Sequence, residues 1–354
     1  MKKRILILLN NLNIGGAQLS IINLLKPLSK KALFDFVVEG SDVGSLEDKL
    51  TLEFGSKIFH FPKLTKHPFL YRKMLKRIVK ENKYNVVHAN LNFLSIFPLR
   101  WVRKMTITLS HAHACYPSSN WISKAFRKYF RRKICKYTRA RLACSEEAGK
   151  WLYGNCNFIV IPSSIDISSF SFQSEKRKSI RKLLGIPLDS VVIINVGNLT
   201  PVKRQHFLID CFINAFKLDS KYKLLILGDG YLKNDLLQHI KKHEADKQIS
   251  LLGTVNNVAD YLSASDCFVF TSLFEGFPVS VLEARANGLP CLVSESLIQL
   301  KDAGLGLSFA NAESIQSFSK ELYNAAFEKR FISDLSNYDS IIISKILWDV
   351  YDKE

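Results

Sequence analysis

The 354-residue chain has no apolar run near the roughly 18–20 residues that cross a bilayer, so no spanning helix is expected. It has no Cys-x-x-C pair. Its seven cysteines (Cys115, Cys135, Cys144, Cys156, Cys211, Cys267 and Cys291) are odd in number and scattered, several in apolar runs. They read as small core residues of a reducing compartment, not as a metal site or a disulfide framework. No Asp-x-Asp occurs, which excludes a metal clamp built on that motif. Acid is also short, with 32 Asp and Glu against 50 Lys and Arg, and the shortage is local. Residues 1–166 carry 29 basic and 10 acidic side chains, and the remainder 21 and 22. One basic half implies an anionic partner: lipid, nucleic acid or an acidic acceptor. No base-reading motif accompanies the charge, so nucleic acid is not expected.

What is present is a folded α/β chain. Hydrophobic residues make up 47% and charged residues 23%, and the length suits two domains. Buried strands are read at Lys3–Leu9, Phe34–Val38, Ile58–Phe61, Asn85–Ala89, Thr106–Leu109, Val191–Val196, Lys223–Leu227, Ile249–Gly253, Cys267–Phe270 and Cys291–Val293, with helical segments between them. That alternation predicts parallel sheets covered by helices. The basic start, Met1 to Arg4, leads into an apolar run that ends at Asn10-Asn11 without a small-residue cleavage site, so a first strand is read there and not a leader. The serine-rich, charged stretch 168–180 reads as an exposed connector between domains.

The stretch from Phe270 to Pro290, F-T-S-L-F-E-G-F-P-V-S-V-L-E-A-R-A-N-G-L-P, carries the chemistry. A strand end passes through Glu275-Gly276-Phe277-Pro278 into a helix. Pro278 suits the first helical position, and Gly276 lets backbone approach a ligand. A helix start favours an anion. Glu275 and Glu283 flank seven residues, so acids that can hold hydroxyls lie beside a phosphate cradle. Three other strand ends carry similar signals. Asn13-Ile14-Gly15-Gly16-Ala17-Gln18 is a glycine turn into a helix. Gly197-Asn198-Leu199-Thr200-Pro201-Val202-Lys203-Arg204 offers cations for phosphate, and Gly228-Asp229-Gly230 is a second glycine turn. His111 and His113 follow the Thr106 strand at its C-terminal end, where α/β sheets bind ligands.

Taken together these strings resemble the retaining GT-B glycosyltransferases of family 4. Their E-x7-E signature matches Glu275 and Glu283, their G-G-A-[EQ] loop matches Gly15–Gln18, and their G-R-L-x-x-x-K-G loop matches Gly197–Lys203 with Asn198 in place of arginine. The resemblance extends to N-V-V-H-A-N at 85–90 and to V-I-P-S-S-I-D at 160–166, where Ser163-Ser164 replaces Asn-Gly. It implies two facing Rossmann-like domains, 1–167 on the acceptor side and 181–340 for the donor nucleotide, joined by 168–180. It also implies a C-terminal helix, 341–354, crossing back to the first domain.

The implied activity is transfer of a sugar from a UDP- or GDP-linked donor, with retention, to a lipid-linked glycan acceptor in cell-surface polysaccharide assembly. No cofactor or metal is implied. Lys203 and the amides of Gly15 and Gly16 would meet the donor diphosphate, with Asn198, Arg204, Gly228, Gly230, Gly276, Phe277 and Pro278 around them. Arg204 would partly replace the arginine usual at Asn198. Glu283 would hold the ribose, Glu275 would lie near the transferred sugar, and His113, in preference to His111, would contact the sugar or the leaving group. A nucleotide-sugar epimerase of the same fold and a non-catalytic nucleotide-sugar-binding module are the alternatives.

Trp121–Arg141 adds a basic amphipathic segment with aromatics. Lys124, Arg127, Lys128, Arg131, Arg132 and Lys136 are read as a surface for anionic membrane or acceptor. That placement is cytoplasmic and peripheral on the inner membrane face.

Overall fold

A computed structural model of the chain describes residues 2–113 and 121–353, with the side chains of 121–127 and of Asp302 outside the description. The chain divides into two units, Met1–Ile165 with Ser340–Glu354, and Asp166–Asp339.

The first unit is built on seven parallel strands: β1 (Lys3–Leu8), β2 (Ala32–Glu39), β3 (Ile58–Phe61), β4 (Val86–Ala89), β5 (Ile107–Ala112), β6 (Ala140–Ala143) and β7 (Ile159–Val160). Their order across the sheet is β3-β2-β1-β4-β5-β6-β7. Its helices are α1 (Gly16–Leu25), α2 (Glu47–Phe54), α3 (Pro68–Asn82), α4 (Ile96–Val102), α5 (Trp121–Tyr137) and α6 (Glu146–Tyr153). Alternation along each strand divides the core. Ile5, Ile7 and Leu9 point to the face covered by α1, while Leu6 and Leu8 point to the face covered by α3 and α4. With both faces covered, the strands read as unbroken apolar runs.

The second unit has six parallel strands: β8 (Val191–Val196), β9 (Tyr222–Leu227), β10 (Ile249–Gly253), β11 (Cys267–Phe270), β12 (Cys291–Ser294) and β13 (Ser308–Ala310), in the order β10-β9-β8-β11-β12-β13. Its helices are α7 (Ser174–Leu183), α8 (Gln205–Phe216), α9 (Lys233–Lys242), α10 (Val258–Ala264), α11 (Val279–Ala286) and α12 (Ile315–Ala325). The last helix, α13 (Ser340–Lys353), belongs to the first unit. Ile343, Leu347, Val350 and Tyr351 are buried there with Ile7 and Leu24, and Ser340 N donates to Ile165 O at 2.9 Å.

Three expectations are corrected. Residues 168–180 are not a bare connector: they form a short 3-10 turn and most of α7, which packs on α10. Arg181, fully buried, ties this helix to Asp266 at 2.7 Å and to the carbonyls of Pro187, Leu188 and Ser190. Polar composition concealed a helix in which only Ile180 and Arg181 are buried. Cys135 and Cys156 are joined as a disulfide, because α5 packs against α6 and brings their Cα atoms to 6.5 Å. Cys144, Cys211, Cys267 and Cys291 are buried thiols as expected, and Cys115 lies outside the described residues. Finally, β5 continues to Ala112, so His111 is a strand residue with no exposure.

Candidate functional site

In an open α/β sheet the strand order reverses direction at one point, and the loops after the two flanking strands leave a crevice there. In the second unit this point lies between β8 and β11. The loop after β8 carries Gly197 to Arg204, and the loop after β11 carries Thr271 to Pro278. They are tied together: Leu273 N donates to Val202 O at 2.9 Å, and Thr271 Oγ1 donates to Lys203 O at 2.8 Å. Across this junction Lys203 Nζ meets Glu275 Oε1 at 2.5 Å. Ser272 Oγ donates to the same carboxylate oxygen at 2.8 Å, and the Lys203 ammonium lies 4.7 Å from the Phe270 ring centroid. The fold therefore joins two residues 72 positions apart, both chosen for chemistry from sequence, in a partly shielded ion pair. A charge pair in this position is exchangeable, because an entering diphosphate presents more negative charge to Lys203 than one carboxylate does.

Glu283 stands on the second turn of α11, 7% exposed, with no hydrogen-bond partner for its carboxylate among the described residues. Burial pushes its carboxyl up to about 7. A buried carboxyl left unpartnered is costly unless something hydrogen-bonds it. Hydroxyls of a ligand are suitable donors. Pro278 is the residue before α11, with φ −78° and ψ 108°, and not its first helical residue. No side chain caps that helix start and no acid lies in its first turn; Val281 N donates to Pro278 O at 3.2 Å, which leaves the N–H groups of Val279 and Ser280 to meet an anion.

The two glycine turns have a structural reason of their own. A Cβ at Gly228, where φ is 134°, would come within 2.1 Å of Gly197 O, and one at Gly230 would meet Leu199 O at 2.4 Å. Both glycines let the β9 loop close on the β8 loop. The Lys203 stem then runs past Gly197, 3.5 Å from where a Cβ would be. Asn198 is exposed on this loop, its carbonyl accepting from Gln205 Nε2 at 3.0 Å. Gly276 and Phe277 are half-buried, Phe277 stacking on Tyr338 at 5.3 Å. Arg204 is directed elsewhere. Its backbone is left-handed (φ 55°), and its guanidinium lies 4.4 Å from the Phe207 ring centroid and 3.6 Å from Glu313. It is engaged there, on the α8 side of the loop, and does not join Lys203 and Glu275.

In the first unit the corresponding point lies between β1 and β4. Gly15 precedes α1 with no side-chain cap and no acid in the first turn, and the space beside Gly16 is open. Next to it is a feature that sequence did not foresee. His88, His111 and His113 stack in a row, with ring centroids 5.4 Å apart between the first two and 4.0 Å between the last two. Alternation explains this: His88 pairs with Leu109, so His111 and His113, two and four residues on, continue the same face. Tyr351 OH meets His88 Nδ1 at 2.7 Å, and His113 Nε2 meets Asn90 Oδ1 at 2.7 Å. The Asn90 amide nitrogen faces the carbonyls of Leu8 and His88, so its oxygen must face the ring. His113 is therefore protonated at Nε2 and keeps Nδ1 as an acceptor. Burial holds all three rings neutral, lowering His88 to about 3, His113 to about 4 and His111 well below its usual value.

The basic segment is helix α5. Lys128, Arg132 and Lys136 are exposed, whereas the side chains of Lys124 and Arg127 lie outside the described residues. Arg131 is half-buried and engaged. Its guanidinium donates to the carbonyls of Lys150 and Trp151 at 2.8–3.1 Å and so caps the C-terminal end of α6. A second basic surface lies on α3 and α4. Arg72 and Lys76 of α3 and Arg100, Arg103 and Lys104 at the end of α4 line one groove with Trp101 and Met105. Phe69 at the start of α3 is 84% exposed. The signal was the density of Lys and Arg in 72–80, which α5 overshadowed. No helix among the described residues is long and apolar enough to cross a membrane.

Two Rossmann-like units with parallel sheets, each with ligand loops at its point of reversal, define the GT-B class of glycosyltransferase fold. Comparison with known proteins agrees. The description "Glycosyltransferase Family 4" matches residues 14–169, and "Glycosyl transferases group 1" matches residues 176–322. The putative glycosyltransferase EpsF of Bacillus subtilis is 29% identical over 86% of this chain and 83% of its own length. The Escherichia coli UDP-Gal:alpha-D-GlcNAc-diphosphoundecaprenol alpha-1,3-galactosyltransferase is 29% identical over 74% of this chain and 71% of its own length. Anabaena HepE, solved in complex with UDP and glucose, superposes with a TM-score of 0.79 at 17% identity over 99% of this chain and 100% of its own. The chain belongs to the group 1, family 4 glycosyltransferases.

Proposed function

We propose that the protein transfers a sugar from a nucleotide diphosphate sugar, with retention of configuration, to a lipid-linked saccharide at an anionic membrane surface. The observation that carries this reading is the Lys203–Glu275 pair at the β8/β11 junction, with unpartnered Glu283 one helix turn further on. A donor diphosphate takes Lys203 and the α11 start. The ribose hydroxyls donate to Glu283, which then ionises. Glu275, released from Lys203, orients the sugar and stabilises positive character as the anomeric C–O bond to the diphosphate breaks. The acceptor hydroxyl forms the new C–O bond as that bond breaks, its proton passes to the departing diphosphate oxygen, and the nucleoside diphosphate leaves. Lys203 and the helix start supply the positive field for that leaving group, so no divalent cation is required.

In the first unit, the α1 start suits an anion, and His113 Nδ1 suits a sugar hydroxyl. The lipid-linked acceptor is supported by the diphosphoundecaprenol in the name of the Escherichia coli relative. The membrane surface is supported by the exposed cations of α3, α4 and α5.

The test is turnover of a panel of UDP- and GDP-sugars with undecaprenyl-diphosphate-linked monosaccharides, with and without EDTA, read by mass spectrometry. Nuclear magnetic resonance of the product gives the anomeric configuration. A glycosylated lipid with the donor's configuration, formed equally in EDTA, supports the reading. Inversion, a strict metal requirement, or epimerised donor with no acceptor product contradicts it.

A further inference from the structure

A second cluster of chemically active side chains lies away from the donor loops, on the seam between α8 and α9. On α8, His206 and Asp210 are one turn apart; on α9, Asp235 and His239 are one turn apart, and His243, four residues on, is the residue that follows the helix. Residues at i and i+4 share a helix face, so the two rows meet along the seam. His206 Nε2 lies 2.9 Å from Asp235, and His239 Nε2 lies 2.7 Å from Asp210 Oδ1. His239 also packs edge-to-face with His206 at 5.2 Å and with His243 at 4.8 Å. Asp210, His239 and His243 each present a ligand atom within 4.8 Å of the others.

An Asp210–His239 hydrogen bond alone would explain two of these residues. It does not account for His243, four residues on and exposed, whose ring brings a third ligand atom within 4.8 Å of the other two. Two imidazoles and one carboxylate form a borderline donor set that suits a first-row transition metal, whereas Mg²⁺ and Ca²⁺ prefer all-oxygen shells. Metal–ligand bonds of about 2.0–2.2 Å place ligand atoms a little over 3 Å apart. From 4.8 Å that closure is a matter of side-chain rotation. His243 is exposed, which leaves room for water in the remaining coordination positions.

We propose that Asp210, His239 and His243 bind one Zn²⁺-like divalent transition metal. The ion staples α8 to α9. α8 begins at Gln205, directly after Lys203 and Arg204, and α9 begins at Lys233, just past Gly228–Gly230. The staple therefore stiffens the helices behind two donor loops without touching the donor, and its role is structural.

The experiment uses untagged, EDTA-stripped, full-length protein titrated with Co²⁺ and Zn²⁺. The readouts are visible Co²⁺ absorption, bound-metal stoichiometry and thermal melting. One ion per chain is expected, with a melting temperature that rises with metal concentration. Asp210→Asn and His243→Ala should each weaken binding by more than about 10-fold, a loss that even outer-shell partners can cause. His206→Ala should still bind one ion. Melting of each variant in EDTA, close to wild type, shows that it is folded. No saturable binding, a stoichiometry other than one, or binding that survives His243→Ala together with Asp210→Asn (an adventitious ion only) overturns the proposal.

Discussion

The two units share one plan and distribute charge in opposite ways. The first has a strong surplus of cations on its surface, yet its point of reversal is lined by uncharged groups: a glycine-led helix start and three neutral histidines, two of them fully buried. The second has nearly balanced charge overall, yet its point of reversal holds Lys203 paired with Glu275 and the lone carboxyl of Glu283. The lesson is that net charge locates a partner surface, while the chemistry is located by which charges the fold buries.

The largest expected effect breaks the second unit's site. Lys203→Ala should lower kcat by about 10²–10³, as loss of one preorganised electrostatic group does. Glu275→Gln should remove the ion pair while keeping the Ser272 hydrogen bond, with a smaller loss; steady-state turnover checks both. Next in size is Gly228→Ala. Its Cβ has no space beside Gly197 O and its φ of 134° suits only glycine, so unfolding free energy should drop by about 3 kcal/mol in denaturant titration.

A pH comparison sharpens the contrast. Folded Glu283 keeps its proton up to pH about 7, whereas the unfolded chain releases it near 4.5. The folded state thus binds the extra proton between these values, and stability falls as pH rises through that window. Glu283→Gln should stabilise the ligand-free protein at pH 8 by up to about 3 kcal/mol and leave it unchanged near pH 4. The histidines have the opposite sign. They remain neutral in the fold while the unfolded chain takes up protons below about 6.5, so their contribution is present above 6.5 and lost as pH falls toward 4. His111→Phe, which removes two unpartnered ring nitrogens, should therefore stabilise more at pH 4.5 than at pH 8. Equal effects at both pH values for either variant would break the contrast.

The smallest effect per residue is at the surface. Neutralising Arg72, Lys76, Arg100, Lys128, Arg132 and Lys136 should weaken binding to anionic vesicles by about 1 kcal/mol per charge, read by sedimentation at physiological salt. Arg131 is left intact because it caps α6.

How far the sequence could be read followed the range of the interactions. Strands such as Val191–Val196 and Cys267–Phe270 were legible to the residue, because burial on both faces leaves a continuous apolar run. Lys203, Glu275 and Glu283 were legible as candidates, since they sit at strand ends or a helix start. Their pairing was not, because it depends on β8 lying beside β11. The same limit hid the Cys135–Cys156 bridge, the histidine row and the diversion of Arg204 to Glu313, each set by packing between distant segments. Helix α7 was missed because it buries only one apolar side chain, Ile180, beside Arg181, too few for an apolar period to show.

The most direct test of the central claim is isothermal titration of UDP and GDP into wild-type protein, Glu283→Ala and Lys203→Ala. The account predicts that one nucleotide binds wild type and that each substitution weakens it by at least about 10-fold, Glu283→Ala through the ribose and Lys203→Ala through the diphosphate. Binding that both variants retain in full, or no binding of either nucleotide to the wild type, would contradict it.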